Sequence, residues 1–364
     1  MSTSSDLEKT ITASGLHNDV KKIDEGVSSQ TESKEKATES TAASMAETNN
    51  HKTSVVAIES LQRLGFTETP PPLPFSCWDH KLSICIFWFF ILAEVCFIPE
   101  SFYYGLTFGT TLNHGACKSP LLYLTVLCFP NLVHPTVFAI ITSVFGFVSG
   151  YEYGCRCWLL LLPRDEYRPL FSSRRFWDFD GLHWILTIPY GVLTGILIGG
   201  SIPKEPLVRV LAMPMAIGNI IMGLMFIMSG IAVKTKAKLP FRMSSHIKGS
   251  VCPPITYTII EDVIAVDAGA GKVYREALLQ RYNASPRFRK MLIQLVWFWG
   301  IPSIIVGVVL LALIFTVKKE VAYGLGWAVP NIWAGIWTIS TILWVRRSLR
   351  IEKETWKTDE KPPP

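Results

Sequence analysis

Six stretches of this chain are too long and too apolar for ordinary core helices: roughly 82–103, 121–149, 182–202, 207–233, 291–316 and 321–345. A bilayer's hydrocarbon core is about 30 Å thick, and about 20 helical residues cross it. With no water to satisfy the backbone there, helix is the structure such stretches can adopt. The pattern therefore predicts an all-α fold, a polytopic membrane helix bundle of about six transmembrane helices. Composition agrees, because charged residues make up only 18% of the chain, against about 25% in soluble domains. Pro130 and Pro135 give the long second stretch a reason to tilt or kink.

Basic residues orient the bundle. The connection 156–175 carries five Lys or Arg, 234–290 eleven and the C-terminal tail six, against five on the alternate side. Both termini are therefore expected in the cytosol. The sequon Asn283-Ala284-Ser285 falls on that cytosolic side, and the charge bias together with Pro286 outweighs it. The organisation read from the sequence is a disordered cytosolic region 1–75 and transmembrane helices 1–4 in 76–233. A cytosolic amphipathic helix-turn-helix follows at 234–290, then helices 5–6 in 291–346 and a charged cytosolic tail 347–364. The first 55 or so residues have no aromatic side chain and too little apolar surface to offset the entropy of ordering. They also lack the cationic start and apolar run of a signal peptide. "TPPPLPF" at 69–75 contains PxxP and reads as a stiff polyproline spacer, the alternative being a docking motif for an SH3-type domain.

Residues 257–282, "YTIIEDVIAVDAGAGKVYREALLQRY", raise the question of a phosphate loop. The spacing excludes one: Val266 stands where a Walker A loop needs its first Gly, and Val273 follows Lys272. A dinucleotide fingerprint fails at Tyr274. Gly269 and Gly271 read as a turn between helices, with an anion-binding helix start as the alternative. Ile259, Ile260, Val263 and Ile264 share one helical face, and Val273, Ala277, Leu278 and Tyr282 another. Glu261, Asp262 and Asp267 are then expected on a solvated cytosolic face, an ion or substrate site being the alternative. Ser285-Pro286 is a helix start.

This stretch, continued through "NASPRFRKML" and "WFWG" to "AYGLGWAVPNIWAGIW", resembles a family of fungal polytopic membrane proteins of uncharacterised activity. "RRFWDFDGLHW" before the third apolar stretch is similar to that family too. The resemblance covers roughly residues 75–355 and implies a fungal integral membrane protein, with no catalytic residue attached. Ala268 and Ala270 interrupt the glycine run that the family favours, which weakens any backbone cradle.

Ionisable groups inside a span are costly, about 2.5–3.5 kcal/mol on insertion scales, and so mark candidate sites. Glu94 is expected near the midplane, facing Asn131 and His134 across an antiparallel pair. Asn219 and Asn331 fall near mid-depth of the fourth and sixth stretches, and Glu100 near the outer interface. The predicted substrate path is Glu94, Asn131, His134, Asn219 and Asn331; Glu94 and Glu100 are the candidate catalytic acids. Packing hydrogen bonds are the alternative role for the asparagines. His183, close to Asp178 and Asp180, is expected in a capping or interfacial role.

No cofactor and no metal is expected, since the eight cysteines form no CxxC and no histidines pair at helical spacing. The net charge of +6 lies beside the apolar stretches, so the lipid bilayer is the expected partner and nucleic acid is not. A small-molecule substrate or other membrane enzymes complete the expected partners. Three functions follow: binding or moving a small molecule, an accessory role in a membrane-linked pathway, or a terpene-cyclase-like membrane-embedded enzyme. The enzyme reading stands behind the others, and endoplasmic reticulum and plasma membrane both remain open.

Overall fold

Helix is the only regular structure among the described residues; two isolated bridges in one hairpin are the whole of their β-pairing. The computed structural model describes residues 70–75, 81–93, 97, 99–101, 103–104, 134–161, 166–172 and 179–356. The helices are α1 (Lys81–Leu92), α2 (His134–Leu161), α3 (Gly181–Ser201), α4 (Val208–Leu211), α5 (Pro214–Lys234), α6 (Ile255–Asp262), α7 (Gly271–Ala284), α8 (Pro286–Thr316) and α9 (Lys319–Thr355). A π-helical turn, Val263–Asp267, extends α6. Four of them, α3, α5, α8 and α9, are long and apolar enough to cross a membrane.

The first two predicted stretches are described only in part. Glu94 and Asn131, with residues 105–133 generally, lie outside the described residues. The helix that packs against α3 is described from His134 and runs beyond the predicted end at 149 to Leu161. Its register is set by polar pairs along an antiparallel contact. Thr142 meets Ser201 at 3.0 Å, Tyr153 meets Thr187 at 2.6 Å, and Arg156 reaches Asp180. An arginine with buried carboxylate partners extends the helix where hydropathy alone would end it.

The bundle has two distinct ends. At the aromatic end the rings of Tyr103, Phe138 and Tyr323 lie 4.5–5.7 Å apart, and Tyr104 donates from its hydroxyl to the Glu320 carbonyl at 2.8 Å. Phe138 is one turn into α2, so His134 belongs to this end of the bundle. Its side chain is outside the described residues. At the opposite, charged end, α3 and α8 begin, α5 ends, and α6 and α7 pack.

Small residues let α5 and α8 approach closely. A Cβ on Gly223 would lie 2.8 Å from the Gly300 carbonyl oxygen, and one on Gly307 2.7 Å from that of Ala216. Lipid is as apolar as leucine, so such contacts hold by dispersion and fit rather than by expulsion of water. Helix α9, at 37 residues, is about 55 Å long and outreaches a bilayer. Its last turns belong to the charged end, where Glu352 is buried and pairs with Arg281 at 2.6 Å. The tail expected from 347 is therefore helical through Thr355.

The Pro-rich segment is packed rather than free. Phe75 meets the Tyr274 ring edge-on at 6.2 Å, and Arg281 donates to the Pro71 carbonyl at 3.1 Å. An aromatic surface with a donor for a proline carbonyl is how polyproline ligands are held; here the chain supplies both sides.

Candidate functional site

At the charged end two arginines gather acids from distant parts of the sequence. Arg156, from the last turns of α2, pairs with Asp180 and Asp267. Arg275, from α7, donates through one nitrogen to Glu261 at 2.8 Å and Asp262 at 2.6 Å, and through the other to the Tyr167 carbonyl at 3.3 Å. Asp180, Glu261, Asp262 and Arg275 are fully buried and Arg156 nearly so; Asp267 is at the rim, with its side chain 44% exposed. Ser245 donates to Glu261 and Ser244 to Asp262.

The same groups cap a spanning helix. The first backbone N–H groups of α3 are orphans of helix geometry. Gly181 donates to Ser244 Oγ at 2.8 Å, Leu182 to Asp262 Oδ2 at 2.9 Å and His183 to Asp180 Oδ1 at 2.9 Å. Two carboxylates at a helix N-terminus also match its dipole. Space there is closed: a Cβ on Gly181 would lie 2.8 Å from Ser244 Oγ. The His183 ring stacks between Tyr153 and Phe179 at 4.4 and 4.3 Å, and its Nε2 meets the Tyr153 hydroxyl at 2.7 Å. Asp180 thus caps the helix, and His183, expected in a capping or interfacial role, packs at its start.

Enclosure shifts the acids. Burial, reinforced by Asp262, pushes Asp180 up to about 6 despite both arginines. Burial pushes Glu261 up to about 7 against the pull of Arg275. Burial by itself would lower Arg275, but Glu261 and Asp262 raise it further, so the guanidinium stays charged. On α6, Glu261 Oε2, the Tyr257 hydroxyl and the Thr258 hydroxyl are buried with no hydrogen-bond partner among the described residues.

The expected solvated face for Glu261 and Asp262 is therefore corrected. In α6 the acids point inward, and Val263, expected on the apolar face, is 37% exposed. On α7, Tyr274, Arg275, Leu278 and Leu279 are buried while Val273 is 67% exposed. The physical reason is that arginines arriving from α2 and α7 make a carboxylate the better-matched inward group. The Gly-Ala-Gly turn is likewise not an open anion site. Gly271 has φ +61°, and a Cβ there would lie 2.9 Å from Glu166 Cγ, so an acid of the chain itself covers the start of α7.

A second feature lies within the apolar part of the bundle. Trp88, Leu92, Phe97, Glu100, Ala328, Asn331, Ile332 and Gly335 line a half-open cavity of about 440 Å³ between α9 and α1 with the residues that follow it. Glu100 and Asn331 are its polar groups. Asn331 is the thirteenth residue of α9, about 18 Å along its axis, and donates to the Trp327 carbonyl at 2.7 Å. Of the predicted path residues, Asn331 thus shares a cavity with the candidate acid Glu100. Asn219 lies in the second turn of α5, nearer the aromatic end, its amide nitrogen enclosed without a partner among the described residues.

The comparisons bear on the whole of this region. The chain matches the family described as "Domain of unknown function (DUF8766)" over residues 64–119 and 115–356. It belongs to that family. No curated protein and no solved structure matches it. The DUF8766 match takes in the packed Pro-rich segment, the cavity and every member of the charge cluster, and stops where α9 ends. Among the described residues of this DUF8766 chain, no three His, Cys, Asp or Glu side chains are grouped to hold a metal.

Arg156, Asp180, Ser244, Ser245 and Arg275 are the members that sequence reasoning did not single out as a site. Asp180 alone had a local signal, as an N-cap before a helix. The others are joined to their partners across 13 to 111 residues of chain, with no spacing rule to reveal it.

Proposed function

We propose that this protein is a six-span integral membrane protein that binds a small molecule in the cavity between α1 and α9 and moves it. α1 and α2 would add two spans to the four apolar helices, with both termini and the 234–290 segment in the cytosol. The basic bias of 156–175, 234–290 and the C-terminal region supports that orientation. The observation that carries the binding reading is the pairing of Glu100 with Asn331 in one otherwise apolar cavity.

The lining suggests the ligand's chemistry. Asn331, which spends an amide hydrogen on the Trp327 carbonyl, and Glu100 line the cavity with side chains that carry acceptor oxygens. Both are acceptors. The matching ligand has an apolar body and one hydrogen-bond-donating head, an amine or an alcohol. The test is to identify by native mass spectrometry the small molecules retained by the purified protein, Glu100→Gln and Asn331→Leu. Removing a hydrogen bond to a charged group costs about 1.5–3 kcal/mol, so Glu100→Gln should weaken retention about ten- to a hundredfold. Equal retention by all three proteins overturns the reading.

The same acid in apolar walls supports a terpene-cyclase-like reading, in which Glu100 donates a proton to an olefin. Conversion of a polyprenoid by the purified protein, lost in Glu100→Gln, would replace the binding reading with that one. An accessory role in a membrane-linked pathway predicts neither retention nor conversion.

A further inference from the structure

The segment between α5 and α6 leaves the end of one spanning helix and returns to the same helix. Ala237 donates to the Ala232 carbonyl at 2.9 Å, and Cys252 donates back to the Ala237 carbonyl at 2.9 Å. Ile255, where α6 begins, donates to Ser229 Oγ at 2.8 Å, little more than a turn before Lys234 closes α5. Between these ties the chain forms a hairpin, with Lys238 bridged to Val251 and Met243 to His246. Its inward residues are already used: Leu239 is buried, and Ser244 and Ser245 hold the buried acids.

What the hairpin turns outward is of one kind. Lys234, Lys236, Lys238 and Lys248 are exposed, and none has a carboxylate partner among the described residues. Phe241 is 57% and Val251 54% exposed among them. From Ile231 to Pro254 there is no Asp or Glu. Lys236, at φ +53°, occupies the left-handed region, where a side chain other than glycine is uncommon.

We propose that this hairpin docks on the anionic headgroups of the leaflet that α5 enters. Three features select a lipid surface as the occupant. The hairpin is tied at both ends to the last turns of a span, so the headgroup layer, about 5–7 Å deep on each side, is its immediate neighbour. Its charge is uniformly positive, complementary to phosphate esters. Phe241 and Val251 supply apolar groups for the acyl boundary, where aromatic residues anchor membrane proteins. Anionic leaflets attract basic residues next to a span, roughly fivefold in affinity for each lysine near the surface, and salt weakens that attraction. Because the hairpin also carries Ser244 and Ser245, lipid contact bears on the elements that hold the charge cluster.

The experiment is hydrogen exchange on the full-length protein in nanodiscs of phosphatidylcholine alone and of phosphatidylcholine mixed with phosphatidylglycerol. Peptides covering 235–254 should exchange at least about tenfold more slowly in the anionic discs, fewer than the four lysines being enough at roughly fivefold each. High salt should abolish the difference, and so should the combined variant K234Q/K236Q/K238Q/K248Q. Equal exchange of the wild-type protein in both discs overturns the proposal without recourse to a variant. A slowing that persists in the lysine variant also overturns it, and assigns the protection to something other than headgroup charge.

Discussion

Replacing Glu261 by Gln tests whether the buried cluster is balanced by a proton. Three enclosed acids, Asp180, Glu261 and Asp262, face two guanidiniums, Arg156 and Arg275, so one acid exceeds the available positive charge. Glu261 is the one to stay protonated. Its Oε1 accepts from both Ser245 and Arg275, while Oε2 is buried with no donor among the described residues. The carboxyl is raised from 4.5 to about 7, chiefly by burial. The folded state therefore holds a proton that the unfolded chain releases between those values. Stability from this group is full below about 4.5 and is lost as the pH rises through about 7. At about 1.4 kcal/mol per pKa unit the loss is about 3 kcal/mol. Gln keeps the acceptor at Oε1 and mimics the protonated form at every pH. Thermal unfolding in detergent should give matching melting temperatures at about pH 4, and a higher one for Glu261→Gln at about pH 8. Asp180, raised to about 6 by burial, leaves a residual slope between about 4 and 6 in both proteins. A Glu261→Gln protein that melts below the wild type at pH 8 refutes the argument: an ionised Glu261 paired with Arg275 would then be what holds the cluster.

Two further outcomes follow from the same packing. Arg275→Met leaves Glu261 and Asp262 enclosed without their guanidinium, and should cost about 3–5 kcal/mol; melting within about 1 kcal/mol of wild type would show that the acids simply take up protons. Phe75→Ala removes the ring from Tyr274 and should release residues 70–75 from α7. Limited proteolysis there should accelerate while the bundle's melting temperature barely moves, and unchanged cleavage would mean that the Arg281–Pro71 hydrogen bond holds the segment by itself.

The long apolar stretches were legible because a bilayer demands about 20 apolar residues whatever they pack against. α3, α5 and α8 begin and end within a few residues of the predicted limits, apart from the late start of α5 and the early start of α8. Ser285 caps α8 as its sequence predicts, accepting from the Phe288 amide at 3.1 Å. α2 outran its predicted end at 149 because Arg156 in its last turns looks like the end of a span until Asp180 and Asp267 are placed beside it. α9 outran its predicted end for the related reason that Glu352 and Arg281 satisfy each other.

By itself the sequence determined the solvent. The density of apolar residues requires a helical membrane protein, and the placement of lysine and arginine distinguishes the two ends of its helices. It also determined local chemistry, such as the Ser285 cap and the spacing that excludes a phosphate loop at 266–273. Only the tertiary structure decided which way the acids of α6 face. An amphipathic pattern assumes that apolar groups go inward and charges outward. Once Arg156 and Arg275 converge from α2 and α7, the carboxylates of α6 are matched inside the protein and are enclosed along with its isoleucines. Charge pairing across as many as 111 residues leaves no period in the sequence, because it depends on where two helices end in space and not on how far apart their residues are along the chain.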